Sequence, residues 1–366
     1  MKILLIGEYS NVHWTLAEGL RLLGHDVTVA SNGDFWKGYK NDIPLIRKST
    51  GLKDSIQYIF NVNRHFRTFR NYDIVQIINP MFLELKAEKI LPYYRELREQ
   101  NKKVFLAAYG MDHYYVKACT QSNIFEYSEL MVNGQFRSVK DNVDAVNDWL
   151  HSYKAELNQI IASDCNGIAA GLWEYYMSYK DQFPEKTELI PFPINPAEPA
   201  ERFIQKPDGI TRFFIGVQKS RSEFKGTDIL LDILLTIEKE LPDLCKVTKV
   251  ENVPFETYRK LMRESDILVD QLYSPTPNMN SLLAMSQGLV VAGGGEEEPY
   301  IAIGEETLRP IINLPCNKED IYRTLKGIVQ NSNILQDLKR QSIEYVEKHH
   351  TPAKVAEQYL KFWENH

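Results

Sequence analysis

The sequence predicts an α/β protein made of two parallel-sheet domains in series, and three observations predict it. Short apolar runs of strand length alternate with longer amphipathic stretches of helix length along the whole chain. The runs are apolar at nearly every position, as strands covered on both faces require. A proline-rich polar stretch near the middle divides the alternation, and 366 residues suffice for two separate cores.

Residues 2–7 form a continuous apolar run ending in glycine, the mark of a central parallel strand. After the loop Glu8–Tyr9–Ser10–Asn11, the spacing of Trp14, Leu16, Ala17, Leu20 and Leu23 predicts a helix. Gly24, His25 and Asp26 stop it, and residues 27–30 form the next strand. This βαβ opening lacks G-x-G-x-x-G, which argues against a dinucleotide site. Further strands are expected at 72–78, 103–108 and 168–170, with amphipathic helices at 83–100 and 141–161. The stretch Pro191–Phe192–Pro193–Ile194–Asn195–Pro196 and the residues from Pro199 to Gly209 read as a connector. A second series opens with a strand at 212–216, and an amphipathic helix at 352–363 ends the chain.

Residues 265–300, SDILVDQLYSPTPNMNSLLAMSQGLVVAGGGEEEPY, organise the second series. They read as a buried strand at 267–269, a polar turn, a short helix carrying Leu282–Leu283–Ala284–Met285, a strand at 289–292 and a glycine-rich loop. Asn278, Asn280 and Ser281 are N-cap candidates for that helix. A helix that starts just after a strand aims its unpaired amides at the sheet's carboxyl edge, where anionic ligands are favoured. The same logic singles out Gly216–Val217–Gln218–Lys219–Ser220–Arg221–Ser222–Glu223–Phe224–Lys225–Gly226 as a phosphate-site candidate. There a strand ends at Gly216, a helix starts near Gly226, and Lys225 stands at its N-terminus. The competing reading is a solvated basic loop that caps a structural helix.

The formal net charge of −6 argues against a general nucleic-acid binder. Cys119, Cys165, Cys245 and Cys316 lack metal-ligand or redox spacing, which predicts a reduced, cytosolic chain. Glu8 and His13 interrupt the first apolar run too soon for a signal sequence, and nothing approaches the ~20 apolar residues of a spanning helix. The expected location is cytoplasmic, with one alternative, peripheral to the inner face of a membrane. That alternative rests on residues 53–70, KDSIQYIFNVNRHFRTFR, which mix Ile56, Ile59, Phe60, Phe66 and Phe69 with Lys53, Arg64, Arg67 and Arg70. Such a helix either lies against an anionic membrane or has an ordinary core face and a solvated face.

Several short motifs stand in a fixed order: Gly24–His25–Asp26–Val27, Tyr72–Asp73–Ile74–Val75, Tyr109–Gly110–Met111–Asp112, Ser163–Asp164–Cys165–Asn166–Gly167–Ile168, Ile190–Pro191–Phe192–Pro193–Ile194, Lys225–Gly226 and residues 265–300. Together they resemble the retaining glycosyltransferases of GT-B fold, of the group-one or family-four type. Ser265–Asp266–Ile267–Leu268–Val269 and the run Ala284–Met285–Ser286–Gln287–Gly288–Leu289–Val290–Val291–Ala292 match both ends of that family's donor segment. The middle departs from it. The family's two glutamates fall on Pro275 and Leu283, its glycine on Asn278, and its phosphate-site arginine on Gln218.

The resemblance implies two Rossmann-like domains facing each other across a cleft, with the last helix crossing back to the first. It assigns residues 1–192 to an acceptor-side domain, 193–209 to a linker, 210–350 to a donor domain and 351–366 to the returning helix. It implies transfer of a sugar from a nucleotide-diphosphate sugar to a saccharide or lipid-linked acceptor, with retention, without a cofactor and without a metal. Lys225, with Arg221 or Lys219 replacing the arginine, would bind the diphosphate together with Gly216, Gln218 and Gly226. Asn278, Asn280 and Ser281 would join them at the donor. Tyr109 stands where many relatives have a sugar-contacting histidine, with His113 one helical turn on; both are equally readable as structural. Asp112 is either acceptor-side or a helix cap, and His13 either acceptor-side or a structural loop histidine. Glu296, Glu297 and Glu298 are either a solvated run or the source of a carboxylate replacing the one absent at Leu283, Glu298 first. Two rivals remain open: a non-catalytic homologue that binds a saccharide, a nucleotide or a partner enzyme, and a nucleotide-sugar isomerase of the same fold.

Overall fold

The structure, a computed structural model, describes residues 1–203 and 208–366. The expected connector at 193–209 therefore lies partly outside the described residues, at 204–207. The strands in chain order are β1 (Lys2–Ile6), β2 (Asp26–Ser31), β3 (Ile43–Pro44), β4 (Ile74–Ile77), β5 (Lys103–Ala108), β6 (Met131–Val132), β7 (Gln135–Phe136), β8 (Gly167–Ala170) and β9 (Thr187–Leu189). The second series is β10 (Thr211–Gly216), β11 (Cys245–Val250), β12 (Ile267–Val269), β13 (Val290–Gly293) and β14 (Ile311–Asn313).

Seven strands form one parallel sheet in the order β3-β2-β1-β4-β5-β8-β9, and five form another in the order β11-β10-β12-β13-β14. β6 and β7 make a small antiparallel hairpin. The strand order reverses direction between β1 and β4 in the first sheet and between β10 and β12 in the second. At such switch points the connections leave in opposite directions and open a crevice at the carboxyl edge. Ile3, Leu4, Leu5 and Ile6, and likewise Ile267, Leu268 and Val269, are buried without alternation, because helices cover both faces.

The chain divides into two compact units: Met1–Ala118 with Asp144–Pro193 and Thr351–His366, and Cys119–Val143 with Ile194–His350. Cys119–Val143 falls within the stretch 1–192 assigned above to the first domain, yet it groups with the second unit. The helix expected at 141–161 is two helices, Lys140–His151 and Tyr153–Asp164. Ser152 breaks it: its backbone is extended, and its hydroxyl accepts the amide of Lys154 at 3.1 Å as an N-cap. The helix expected from residue 83 begins at Ala87.

The last helix, Pro352–Asn365, belongs to the first unit and packs on Val12–Leu22. Val355, Ala356, Tyr359, Phe362 and Trp363 are buried, and Lys103 Nζ donates to the Trp363 carbonyl at 2.7 Å. Gly19 makes the contact feasible, since a Cβ there would collide with the Pro352 carbonyl and stand 3.1 Å from Ala356 Cβ. No helix among the described residues is long and apolar enough to cross a membrane.

Gly19→Val is expected to push the terminal helix off its seat and to lower stability by about 1–3 kcal/mol, the usual cost of overpacking. Urea unfolding followed by circular dichroism measures this, and a midpoint equal to the parent's would show that the helix is not seated through Gly19.

Candidate functional site

The residues singled out in the second unit gather at the carboxyl edge around the β10/β12 switch. β10 ends at Gly216, where a Cβ would lie 2.6 Å from the Tyr258 hydroxyl oxygen. The following segment is a 3-10 turn, Lys219–Arg221, then a four-residue helix, Ser222–Lys225, then Gly226 and the long helix Thr227–Glu240. Lys225, expected at a helix N-terminus, is thus the last residue of a short helical turn, one residue before the N-cap of the next helix. Gly226 adopts φ +71°, and a Cβ on it would come within 2.7 Å of the Tyr273 ring and 2.8 Å of Leu272 Cβ. The Lys225 carbonyl accepts the Leu272 amide at 2.9 Å, which fixes this turn to the segment after β12. Gln218, Lys219 and Arg221 are exposed on the turn, with Arg221 stacked on Phe224 at 4.5 Å and 3.9 Å from Asp141.

Arg137, just after the β6–β7 hairpin, was not singled out from the sequence. Its guanidinium donates to the carbonyls of Glu223 (2.6 Å) and Phe224 (3.1 Å), and it lies 3.5 Å over the Tyr273 ring. It clamps the turn that presents Lys225. Nothing in the sequence flags it, because its hold on the turn is through main-chain carbonyls about 90 residues away, beyond the reach of any local pattern.

Beyond β12, Asn278 caps the helix Met279–Ser286 as expected, its side chain accepting the Asn280 amide at 2.9 Å. Asn280 Oδ1 accepts from the Tyr258 hydroxyl at 3.0 Å, and the Ser281 hydroxyl donates to Asp270. Asp270 follows β12 directly, half-buried, with its amide bonded to the Ala292 carbonyl at 3.0 Å. It is the carboxylate at the switch point, and sequence reasoning passed over it as part of a polar turn. Pro275 is buried and Leu283 half-buried.

The three glutamates after the glycines point to separate tasks. Glu297 pairs with Arg309, whose guanidinium holds its carboxyl below the usual range. Glu298 is exposed in the first turn of Glu297–Ala302. Glu296 accepts the Tyr127 hydroxyl at 2.8 Å. Gly294 allows this loop to lie directly on the Ser274–Pro275 backbone, which a Cβ would strike.

In the first unit, the singled-out side chains are committed to packing. Tyr109 is buried, its hydroxyl bonded to that of Tyr359 and its ring edge-on to Phe192 at 4.8 Å. His113 is buried between the Trp149 carbonyl (2.8 Å) and the Gln159 amide (2.9 Å), and burial lowers its pKa, so it stays neutral. Asp112 accepts the Tyr115 amide at 2.9 Å as a helix cap and the Tyr179 hydroxyl at 2.7 Å; burial raises its pKa to about 6. His13 is fully buried between the Gly7 carbonyl (2.8 Å) and the Gln76 amide (3.2 Å), with its pKa lowered by burial to about 3.

The carboxyl edge of the first sheet carries instead two groups not singled out above, Glu8 after β1 and Asp34 after β2. Glu8 is buried and accepts the amides of His13 (3.2 Å) and Trp14 (2.9 Å); burial pushes its pKa up to about 8. Asp34 accepts the Ser10 amide at 2.8 Å and the Lys37 ammonium at 2.5 Å. Ser10, Asn11, Asp34 and Phe35 all hold positive φ, a concentration of strained backbone on two adjacent loops of one sheet edge. Among the described residues, no three His, Cys, Asp or Glu side chains gather to hold a metal ion.

No family profile matches the sequence, and no curated protein matches it. Several solved structures match it across nearly the whole of both chains. Sucrose-phosphate synthase from Thermosynechococcus elongatus aligns with a TM-score of 0.60 at 12% identity, covering 100% of this chain and 98% of its own. Anabaena HepE, solved with UDP and glucose, gives 0.58 at 12% identity, covering 99% and 98%. WaaG, a glycosyltransferase of lipopolysaccharide biosynthesis, gives 0.57 at 14% identity, covering 98% and 99%. The chain therefore has the GT-B fold that the sequence predicts.

The Glu8 carboxyl, with an ordinary value of 4.5, holds its proton up to about pH 8 in the folded chain. Across that window the folded chain binds a proton that the unfolded chain has lost, so stability falls as pH rises. Glu8→Gln removes the titration. Its stability relative to wild type is expected to grow from pH 5 to pH 8, by about one to a few kcal/mol, in urea melts at both pH values. Parallel pH profiles for the two proteins would place the titration elsewhere.

Proposed function

We propose that this chain transfers a glycosyl unit from a nucleotide-diphosphate sugar to a saccharide or lipid-linked acceptor, with retention at the anomeric carbon. The observation that carries the reading is the convergence at the β10/β12 switch point. There Lys225, the start of Thr227–Glu240, the start of Met279–Ser286, and Asp270 come from the connections that follow the neighbouring strands β10 and β12 of one sheet. Two helix starts and an ammonium suit a diphosphate, because the amide dipoles and the fixed positive charge both oppose its charge. The same groups stabilise the diphosphate as it leaves, the step at which negative charge develops. This neutralisation needs no divalent cation, so turnover is expected to survive a chelator. Loss of activity restored by added magnesium or manganese would overturn that part.

In this reading Asp270 takes the place of the carboxylate absent at Leu283. A glutamate side chain on that helix would reach the ribose hydroxyls from the helix side, whereas Asp270 reaches from the strand end, held by Ser281. Glu298 and Glu297 are set aside for this role by their exposure and by the Arg309 pairing. The first unit's strained loops around Ser10 and Asp34 are the acceptor side.

A second reading, a non-catalytic homologue, is favoured by Pro275 and Leu283 standing where the resembling enzymes carry glutamates. Nucleotide-diphosphate binding without product, in an assay that supplies saccharide and lipid-linked acceptors, would select it.

Isothermal calorimetry with UDP, GDP and ADP tests the site. Lys225→Ala and Asp270→Asn are each expected to weaken binding by about ten- to a hundred-fold, the size of one charge-assisted hydrogen bond. Glu297→Gln is expected to bind like wild type. Unchanged affinity in a folded Lys225→Ala variant would remove the diphosphate from this edge, and equal binding by Asp270→Asn would remove the ribose from Asp270.

A further inference from the structure

The helix Leu52–Phe66 carries an apolar face that the fold does not use. Tyr58, Val62 and Phe66 turn inward and are buried. Leu52, Ile56, Ile59 and Phe60 turn outward instead, with 79%, 60%, 42% and 70% of their surface exposed. Their spacing places them on one arc of the helix, where residues three and four apart are neighbours. Lys53, Arg64 and Arg67 flank that arc, all exposed. Ile46, also outward, and Lys48 stand across a groove of about 380 Å³ from Phe60 and Arg64, with Asp54 the one carboxylate at its wall. Asp54 is engaged by the Ser49 hydroxyl at 2.5 Å.

Charge marks the face as distinct. Between residues 40 and 70 there are seven lysines and arginines against two aspartates, in a chain whose net charge is −6. A helix with one core stripe needs neither the outward isoleucines nor this local excess. Exposed apolar side chains ringed by cations match a bilayer surface, where the apolar groups enter the acyl boundary and the cations meet lipid phosphates.

We propose that Leu52–Phe66, with the groove beside it, is a docking surface for an anionic phospholipid bilayer. The outward side chains of Leu52, Ile56, Ile59 and Phe60 insert, and Lys48, Lys53, Arg64 and Arg67 contact headgroup phosphates. The contact is peripheral and salt-sensitive. The surface goes beyond the glycosyl-transfer reading and stands without it.

Sedimentation of the intact chain with vesicles of phosphatidylglycerol and phosphatidylcholine, against phosphatidylcholine alone, tests it. The chain is expected to sediment with the mixed vesicles at low salt and to be released as salt rises. Ile56→Asn with Phe60→Asn is expected to lower the vesicle partition coefficient at least about ten-fold, since each insertion removes a large apolar side chain from water. Lys53→Gln with Arg64→Gln should lower it further for anionic vesicles only, by roughly five-fold per cation. Circular dichroism on the same variants reports whether they remain folded. Calorimetry with UDP, GDP and ADP separates the two readings, because vesicle binding by a folded chain that binds none of these nucleotides keeps this surface and discards the transferase. No sedimentation with the mixed vesicles, or equal sedimentation by the Ile56/Phe60 variant, overturns the proposal. So does a solution dimer that the Ile56/Phe60 variant dissolves, since the face would then be covered by a second copy.

Discussion

The second unit depends on one hydrogen bond and the glycine beside it. The Leu272 amide meets the Lys225 carbonyl at 2.9 Å, and Gly226 at φ +71° lets the chain turn there without a side chain striking Tyr273. That contact joins the connection after β10 to the connection after β12, so the switch point has a fixed floor. The start of Thr227–Glu240 is thereby held beside β12, which Asp270 follows. Arg137 secures the same turn from the other side through the carbonyls of Glu223 and Phe224. A half-buried guanidinium on main-chain oxygens is a rigid device, because its planar fork loses little freedom for each bond made.

The first unit solves a different problem. Polar side chains at the ends of β1, β4 and β5 are drawn inward to support the loops and the returning helix. His13 bonds Gly7 and Gln76, Asp112 bonds Tyr115 and Tyr179, and Tyr109 meets Tyr359 on the last helix. A buried polar group without a partner costs about 1–3 kcal/mol, so these residues are bonded to each other and not left open to a ligand. What reaches the edge is backbone held in strained conformations at Ser10, Asn11, Asp34 and Phe35.

The layers and strand runs were legible because burial on both faces leaves an uninterrupted apolar signature that local sequence carries. The phosphate-site candidate was legible for the same reason, a strand ending at glycine before an amphipathic helix. Three features were not. Ser152 breaks a helix through its own side chain, which periodicity averages over. Cys119–Val143 groups with the second unit although it is flanked by helices that enter the first, a choice made by tertiary contacts alone. Asp270 looked like one polar residue among several, and only the pairing of β10 with β12 gives it its position. At Tyr109 and His113 residue type and loop position left chemistry and packing equally open, and depth shows both side chains engaged in packing.

At 12–14% identity, what this chain shares with sucrose-phosphate synthase, HepE and WaaG is a fold and not a set of side chains. The physical reason is that much of a parallel sheet's capacity for an anion is main chain. Amides at the first turn of Thr227–Glu240 and of Met279–Ser286 point out of the carboxyl edge whatever residues carry them. Glycine is needed where a turn or a close approach admits nothing else, as at Gly226 and Gly294. Carboxylates that hold a sugar or a ribose have no such constraint and can move from a helix to a neighbouring strand end, provided the new oxygen reaches the same crevice. Proline at 275 and leucine at 283 therefore leave those main-chain amides in place, and under the proposed reading specificity falls to the side chains around them, Asp270 foremost.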